Sequence, residues 1–305
     1  MTDVIDFATA ADVLNGVADH ARARPGVLAT PRYRLRYSDR GEAGAPCVVF
    51  VHGLSDQALS FCMVVERLVE RGFRCVGVEL ADGRGDGARL GAYRHGDHAA
   101  DLLCLFDHLK LDAPDVFASS YGSTVALRLM HTHPARVRRC VLQGGFARRP
   151  LNRAEVALAR VARYLPGRMG DLPGRERMMA KLDAPQFAGA APEAYRFMLR
   201  CSGASPIRAV ALRALVLATL DLRPTLGAIR TPVRLIGAAR DLIVPRACEA
   251  ELEAGLPDAH RVEFAAGGHY PQYVLPGPTA AAVADFLGGA RTPAAGAASV
   301  VESGP

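Results

Sequence analysis

The sequence contains no run of 18 or more consecutive apolar residues, so no membrane-spanning helix is expected. It has no CxxC pair. Its seven cysteines (Cys47, Cys62, Cys75, Cys104, Cys140, Cys201 and Cys248) are irregularly spaced. That pattern argues against a zinc site and for free thiols buried in a reducing compartment. The N-terminus lacks the positive charge and apolar core of an export signal. Asp3, Asp6 and Asp12 stand there instead, and the segment reads as a short amphipathic helix. These absences predict a cytoplasmic chain. Lysine is nearly missing, the basic residues being almost all arginine. Aromatic residues do not alternate with those arginines in a stacking pattern, so no nucleic-acid partner is expected.

What is present is an ordinary globular composition, 50% hydrophobic and 22% charged. The 305 residues suffice for one large α/β domain with an insertion, or for two small domains. The net charge of +6 is localised. Residues 147–205 hold eleven Lys/Arg against five Asp/Glu, and the remainder balances. Such an excess is either a solvated helical surface or an attraction for an anionic substrate or interface.

Strand-like and helix-like segments alternate. RYRLRYSD (32–39) alternates with period two and reads as an exposed edge strand. CVVFV (47–51), FRCVGVEL (73–80), DVFA (115–118) and VRRCVLQGG (137–145) are short apolar runs of the kind found in buried parallel strands. Between them lie helical stretches at 59–72, 95–111 and from 119 to Pro134. The rhythm stops at residue 146. Residues 147–205 read as helices and loops, including a capping box with Asn152 and Glu155. Alternation resumes with a helix starting at Ser205-Pro206, strands at 232–237 and 260–265, and helices at 246–256 and 278–289. The expected fold is α/β, a mostly parallel doubly wound sheet with a helical cap inserted after the sixth strand. The expected boundaries are an N-terminal helical extension (1–31), a core (32–146 and 206–288), a cap (147–205) and a disordered tail (289–305).

The stretch FASSYGS (117–123) places three serines where a strand meets a helix. A nucleophile on such a turn needs small residues two places before and after it, or they collide across the turn. Ser120 has Ala118 and Gly122; Ser119 and Ser123 have larger neighbours. A serine hydroxyl also needs a base and a group to orient that base. RLIGAARDLIVP puts Asp241 four residues past a strand ending at Gly237, and AAGGHYPQ puts His269 in a glycine-rich loop after the next strand. All three would reach the carboxyl edge of the sheet, where open α/β sheets bind ligands.

Taken together, VVFVHGLS, DVFASSYGSTVAL, HPARVRRCVLQG, LIGAARDLIVP and GGHYPQ resemble the motifs of the α/β-hydrolase fold superfamily. The resemblance covers roughly residues 32–146 and 206–288. It implies Ser120 as nucleophile, His269 as general base and then acid, and Asp241 as its orienting partner. It also implies an oxyanion hole from the backbone N–H groups of Leu54, just after His52-Gly53, and Tyr121. Ala118 replaces the usual first glycine of the elbow, Ser123 stands where a second glycine is common, and GRGDGARLG beyond Glu79 matches only loosely and would reshape a pocket wall. Of the other histidines, His131, His133, His95, His98 and His108 read as surface or capping residues, and His52 as a loop-positioning one.

Dehalogenases and epoxide hydrolases of this fold resemble one another in using an aspartate at the elbow, so Ser120 argues for acyl chemistry. The first expectation is a hydrolase of small or medium carboxylic esters, with a small-molecule substrate and no cofactor or metal. Thioester hydrolysis, C–C bond hydrolysis and acyl transfer use the same residues, and a ligand-binding protein with an idle triad is the alternative outside enzymes. Oligomeric state is left open.

Overall fold

The computed structural model describes residues 5–82 and 95–288. GRGDGARLG and the tail 289–305 lie outside the described residues. Eight strands form one sheet: β1 (Arg24–Ala29), β2 (Arg34–Arg40), β3 (Cys47–Val51), β4 (Arg74–Val78), β5 (Asp115–Ser119), β6 (Cys140–Gln143), β7 (Val233–Ala238) and β8 (Ala259–Phe264). Their spatial order is β1-β2-β4-β3-β5-β6-β7-β8. β3 through β8 pair in parallel, while β1 and β2 join antiparallel at one end.

Two expectations are corrected here. The segment 1–31 is not wholly helical. After α1 (Ala10–His20) it supplies β1, which pairs along the whole of β2. β2 is therefore flanked on both sides, and β1 is the edge. The sequence RPGVLA hides β1, because Pro is confined to edge strands, strand starts or bulges and Gly weakens a strand. Gly26 passes under the Tyr37 ring, where a Cβ would lie 2.0 Å from the ring.

The central strands are buried on both faces, as their unbroken apolar runs require. Val49 and Val51 of β3 join one core with helices α3 (His95–His108) and α4 (Tyr121–Thr132). Val48 and Phe50 face the opposite core, with α2 (Cys62–Glu70) and α11 (Pro276–Gly288). Phe50, Phe61 and Phe117 pack there with ring centroids 5.3–5.4 Å apart. Six of the seven cysteines are buried. His95 and His98 are not surface residues. Both are buried against the Tyr121 ring, because that face of α3 lies on α4.

Between β6 and β7 the chain leaves the sheet. It forms α5 (Arg153–Ala162), α6 (Arg175–Leu182), α7 (Pro192–Gly203) and α8 (Ile207–Leu217), with no strand among the described residues. Asn152 and Glu155 make the expected reciprocal cap at the start of α5. Pro206 is the N-cap of α8 and not its first residue. α8 packs on α5 and also sends Leu212 and Leu217 into the core. α9 (Arg246–Gly255) and α10 (Pro271–Val274) complete the order. Among the described residues no helix is long and apolar enough to cross a membrane.

Candidate active site

Parallel strands deliver their following loops to one edge, and four such loops converge here. β5 ends at Ser119, and α4 begins at Tyr121. Ser120 between them has φ 52° and ψ −118°, a left-handed conformation that a side chain makes costly. Ser119 and Ser123 do not share it. The turn is tight because α4 starts directly against β3. A Cβ on Gly122 would lie 2.4 Å from the Val51 carbonyl oxygen, so only glycine fits. Ala118 is fully buried. The neighbouring hydroxyls have structural work: Ser123 donates to the Ser120 carbonyl (2.6 Å) and accepts from the Phe146 amide (3.2 Å), and Ser119 accepts from Gln143 (3.4 Å).

His269 and Asp241 come from the loops after β8 and β7. The Nδ1 of His269 lies 2.7 Å from Oδ2 of Asp241. The other carboxylate oxygen accepts the amides of Ile243 and Val244, each at 2.8 Å. Burial works against ionisation of Asp241. The His269 charge, its hydrogen bond and the two amides outweigh burial, and the pKa falls below the usual carboxylate value. An ionised acceptor on Nδ1 leaves Nε2 of His269 as the ring position able to take a proton. Ser120 and His269 line one cavity and are not hydrogen-bonded to each other, a spacing common before substrate tightens a site.

The amides of Leu54 and Tyr121 flank Ser120, and among the described residues neither is taken up by a backbone carbonyl. The N-terminus of α4 adds its partial positive charge beside Tyr121. His52 does not join this group. Its Nε2 accepts the Leu80 amide at 3.1 Å and its Nδ1 lies 2.9 Å from the Gly53 carbonyl, so it holds the loop in place.

Two chambers meet at Ser120. The larger, about 320 Å³, is mostly apolar, with Arg149 and Glu155 in its wall, and lies between α5 and α8. The smaller, about 210 Å³, contains His269, Asp56, Arg175 and Tyr270. Leu54, Met169 and Ile243 border both. Of the aromatic and methionine residues of 147–205, Met169, Met178, Met179 and Met198 border the smaller chamber. Phe187 and Phe197 are buried packing, and Tyr164 is exposed. Of the α5 residues only Ala159 is buried, and Val161 is exposed.

Comparison with known proteins identifies the fold family. A family model described as alpha/beta hydrolase fold matches residues 46–276. The chain belongs to that family. Among curated relatives, the hydrolase is 31% identical over 196 residues to a pimeloyl-[acyl-carrier protein] methyl ester esterase of Aromatoleum aromaticum, covering 60% of this chain and 78% of that one. It is 28% identical over 142 residues to a haloalkane dehalogenase of Mycobacterium marinum, covering 45% of this chain and 48% of the other. The match thus spans about half of the dehalogenase. Among solved structures, a hydrolase from Pseudomonas aeruginosa superposes with TM-score 0.76 at 21% identity, covering 87% of this chain and 98% of that one. A thermophilic esterase from Thermogutta terrifontis superposes with TM-score 0.74 at 22% identity, over 87% and 98% of the two chains. At such identities the superpositions speak for the fold.

The hydrolase holds its loops with residues that sequence reading passed over. Gln186, between α6 and α7, accepts the His269 amide at 2.8 Å and the Leu242 amide at 3.4 Å. Arg213 of α8 donates to the carbonyls of Leu54 (2.9 Å), Leu80 (3.2 Å) and Ala81 (3.1 Å). Ser55 and Ser205 tie the Leu54 loop to the end of α7 and the start of α8. Arg213 had a visible signal, a lone charge in the apolar run AVALRALVL. Gln186 sits in a short 3-10 helix, Ala184–Phe187, and had none.

Proposed function

We propose that the chain is a serine hydrolase that cleaves carboxylic esters through an acyl-enzyme. The observation that carries this reading is the strained backbone of Ser120, φ 52°, in the cavity that also holds the His269–Asp241 pair. Strain of that kind persists where a surrounding structure is built to impose it.

On this reading His269 Nε2 takes the Ser120 proton as Oγ bonds to the ester carbonyl carbon. The carbonyl electrons move to oxygen, and the amides of Leu54 and Tyr121 receive that charge. Collapse breaks the C–O bond, and His269 gives its proton to the departing alkoxide. Water, deprotonated by His269, then attacks the acyl carbon and releases the acid, restoring Ser120. Asp241, held ionised, orients the imidazole and stabilises its cation. These steps call for no cofactor. Residues 32–146 and 206–288 act as the catalytic core and 147–205 as the cap that closes the chambers.

Ester cleavage is favoured over dehalogenation because the elbow carries Ser120 where dehalogenases of this fold carry aspartate. The relative named as a methyl ester esterase supports the same choice. A fluorophosphonate probe tests the assignment. It should label the wild type and not Ser120→Ala; equal labelling of both would place the nucleophile elsewhere.

A further inference from the structure

The smaller chamber is lined by a buried arginine that, among the described residues, makes no direct ion pair. Arg175 is 6% exposed and borders this chamber. Its side chain donates one hydrogen bond, from Nη2 to the neutral Ser202 hydroxyl at 2.5 Å. Among the described residues no carboxylate lies within ion-pair distance of it. Asp183 and Glu176 act on it through their charge from beyond ion-pair distance, and the acids of this region have hydrogen-bond partners of their own. Asp183 accepts from the Tyr270 hydroxyl. Asp56 accepts from the Tyr273 hydroxyl (3.0 Å) and the Gln57 amide (3.0 Å). A buried guanidinium is costly unless it is paired, and its planar fork suits an oxyanion.

The placement of His269 says which part of an ester would meet Arg175. The proton that frees the alcohol must come from His269, so the alcohol portion occupies the chamber lined by His269. The acyl portion then lies in the apolar chamber between α5 and α8, which His269 does not line.

We propose that Arg175 anchors an anionic group on the alcohol side, so that the preferred substrates are esters of an apolar acid with a short hydroxy acid. This inference rests on the serine-hydrolase reading. It adds charge selectivity and a direction of binding. The chamber of about 210 Å³ bounds the size of that alcohol. A carboxylate or a phosphate would satisfy the same guanidinium.

The test compares butanoyl esters of glycolate and of glycolamide, which differ in charge and hardly in shape. The wild type should favour the glycolate ester by about tenfold or more in kcat/KM, the span of a buried charge-assisted hydrogen bond. Arg175→Gln should abolish that preference, chiefly through KM, while turnover of the glycolamide ester changes little; Arg175→Lys should restore part of it. Free glycolate and inorganic phosphate, tried as competitive inhibitors of the wild type, tell a carboxylate site from a phosphate site by which binds more tightly. A wild type that hydrolyses both esters equally, or prefers the neutral one, overturns the proposal even if Arg175→Gln does not fold. So does an Arg175→Gln enzyme that loses both activities in parallel. Absence of all ester turnover together with undiminished probe labelling of Ser120→Ala would instead mark failure of the serine-hydrolase reading.

Discussion

The side-chain oxygen of Gln186 accepts the backbone N–H of His269 at 2.8 Å. The same oxygen reaches the Leu242 amide at 3.4 Å, next to Asp241. One residue outside the sheet therefore sets the spacing of two loops that come from different strands. Gly268 makes this possible: a Cβ there would lie 2.3 Å from that oxygen. Misplacing a reacting group by about 1 Å costs on the order of 100-fold in rate. Gln186→Leu should lower kcat by about 10- to 100-fold with KM little changed. An unchanged kcat in a folded Gln186→Leu enzyme would remove this positioning role.

Arg213 plays the corresponding part for the Leu54 amide. Its three bonds tie the loop after β3 to the segment after β4. Arg213→Met should lower kcat by up to about 100- to 1000-fold, the usual effect of a lost oxyanion donor. It should also weaken a phosphonate transition-state analogue more than the substrate. Equal weakening of both ligands would make Arg213 a purely structural residue.

How much of this was legible in the sequence follows from where the forces act. The meeting of Ser120, Asp241 and His269 at one sheet edge was readable because the turn at Ser120 restricts its neighbours and because strand ends fix which loops meet. β1 was not, since an edge strand needs little apolar pattern and tolerates Pro25 and Gly26. Nor were His95 and His98 as buried residues, because helical periodicity does not say which neighbouring helix covers a polar side chain. Gln186 and Arg175 act through tertiary contacts that have no local signature.

The apolar chamber should set acyl length. Each added methylene buried there is worth about 0.8 kcal/mol, or about fourfold in kcat/KM, until the space is filled. Ala214 lines it on α8. With p-nitrophenyl esters of increasing length, Ala214→Phe should shift the optimum to shorter chains and leave the acetate nearly unaffected. A parallel loss at every length would mean that the acyl chain lies elsewhere.

Burial, with a smaller contribution from the Arg128 charge, pulls the His95 pKa down from 6.5 to about 4. The unfolded chain therefore binds a proton at His95 over a range in which the folded chain does not. The stability this gives is complete above pH 6.5 and is lost as pH falls toward 4. By about pH 5 the loss from His95 is about 2 kcal/mol. Urea midpoints at neutral and mildly acid pH should show it, and His95→Leu should flatten the slope. Identical slopes for the two proteins would contradict burial as the cause.

The central claim is that Ser120 becomes acylated. Rapid mixing of the wild type with p-nitrophenyl butanoate should give a burst of p-nitrophenol close to one per active site if deacylation is the slower step. Acid quenching followed by peptide mass analysis should find one butanoyl group on the peptide containing Ser120, and none with Ser120→Ala. Turnover by Ser120→Ala at the wild-type rate, or an acyl group found on another residue, would contradict the account.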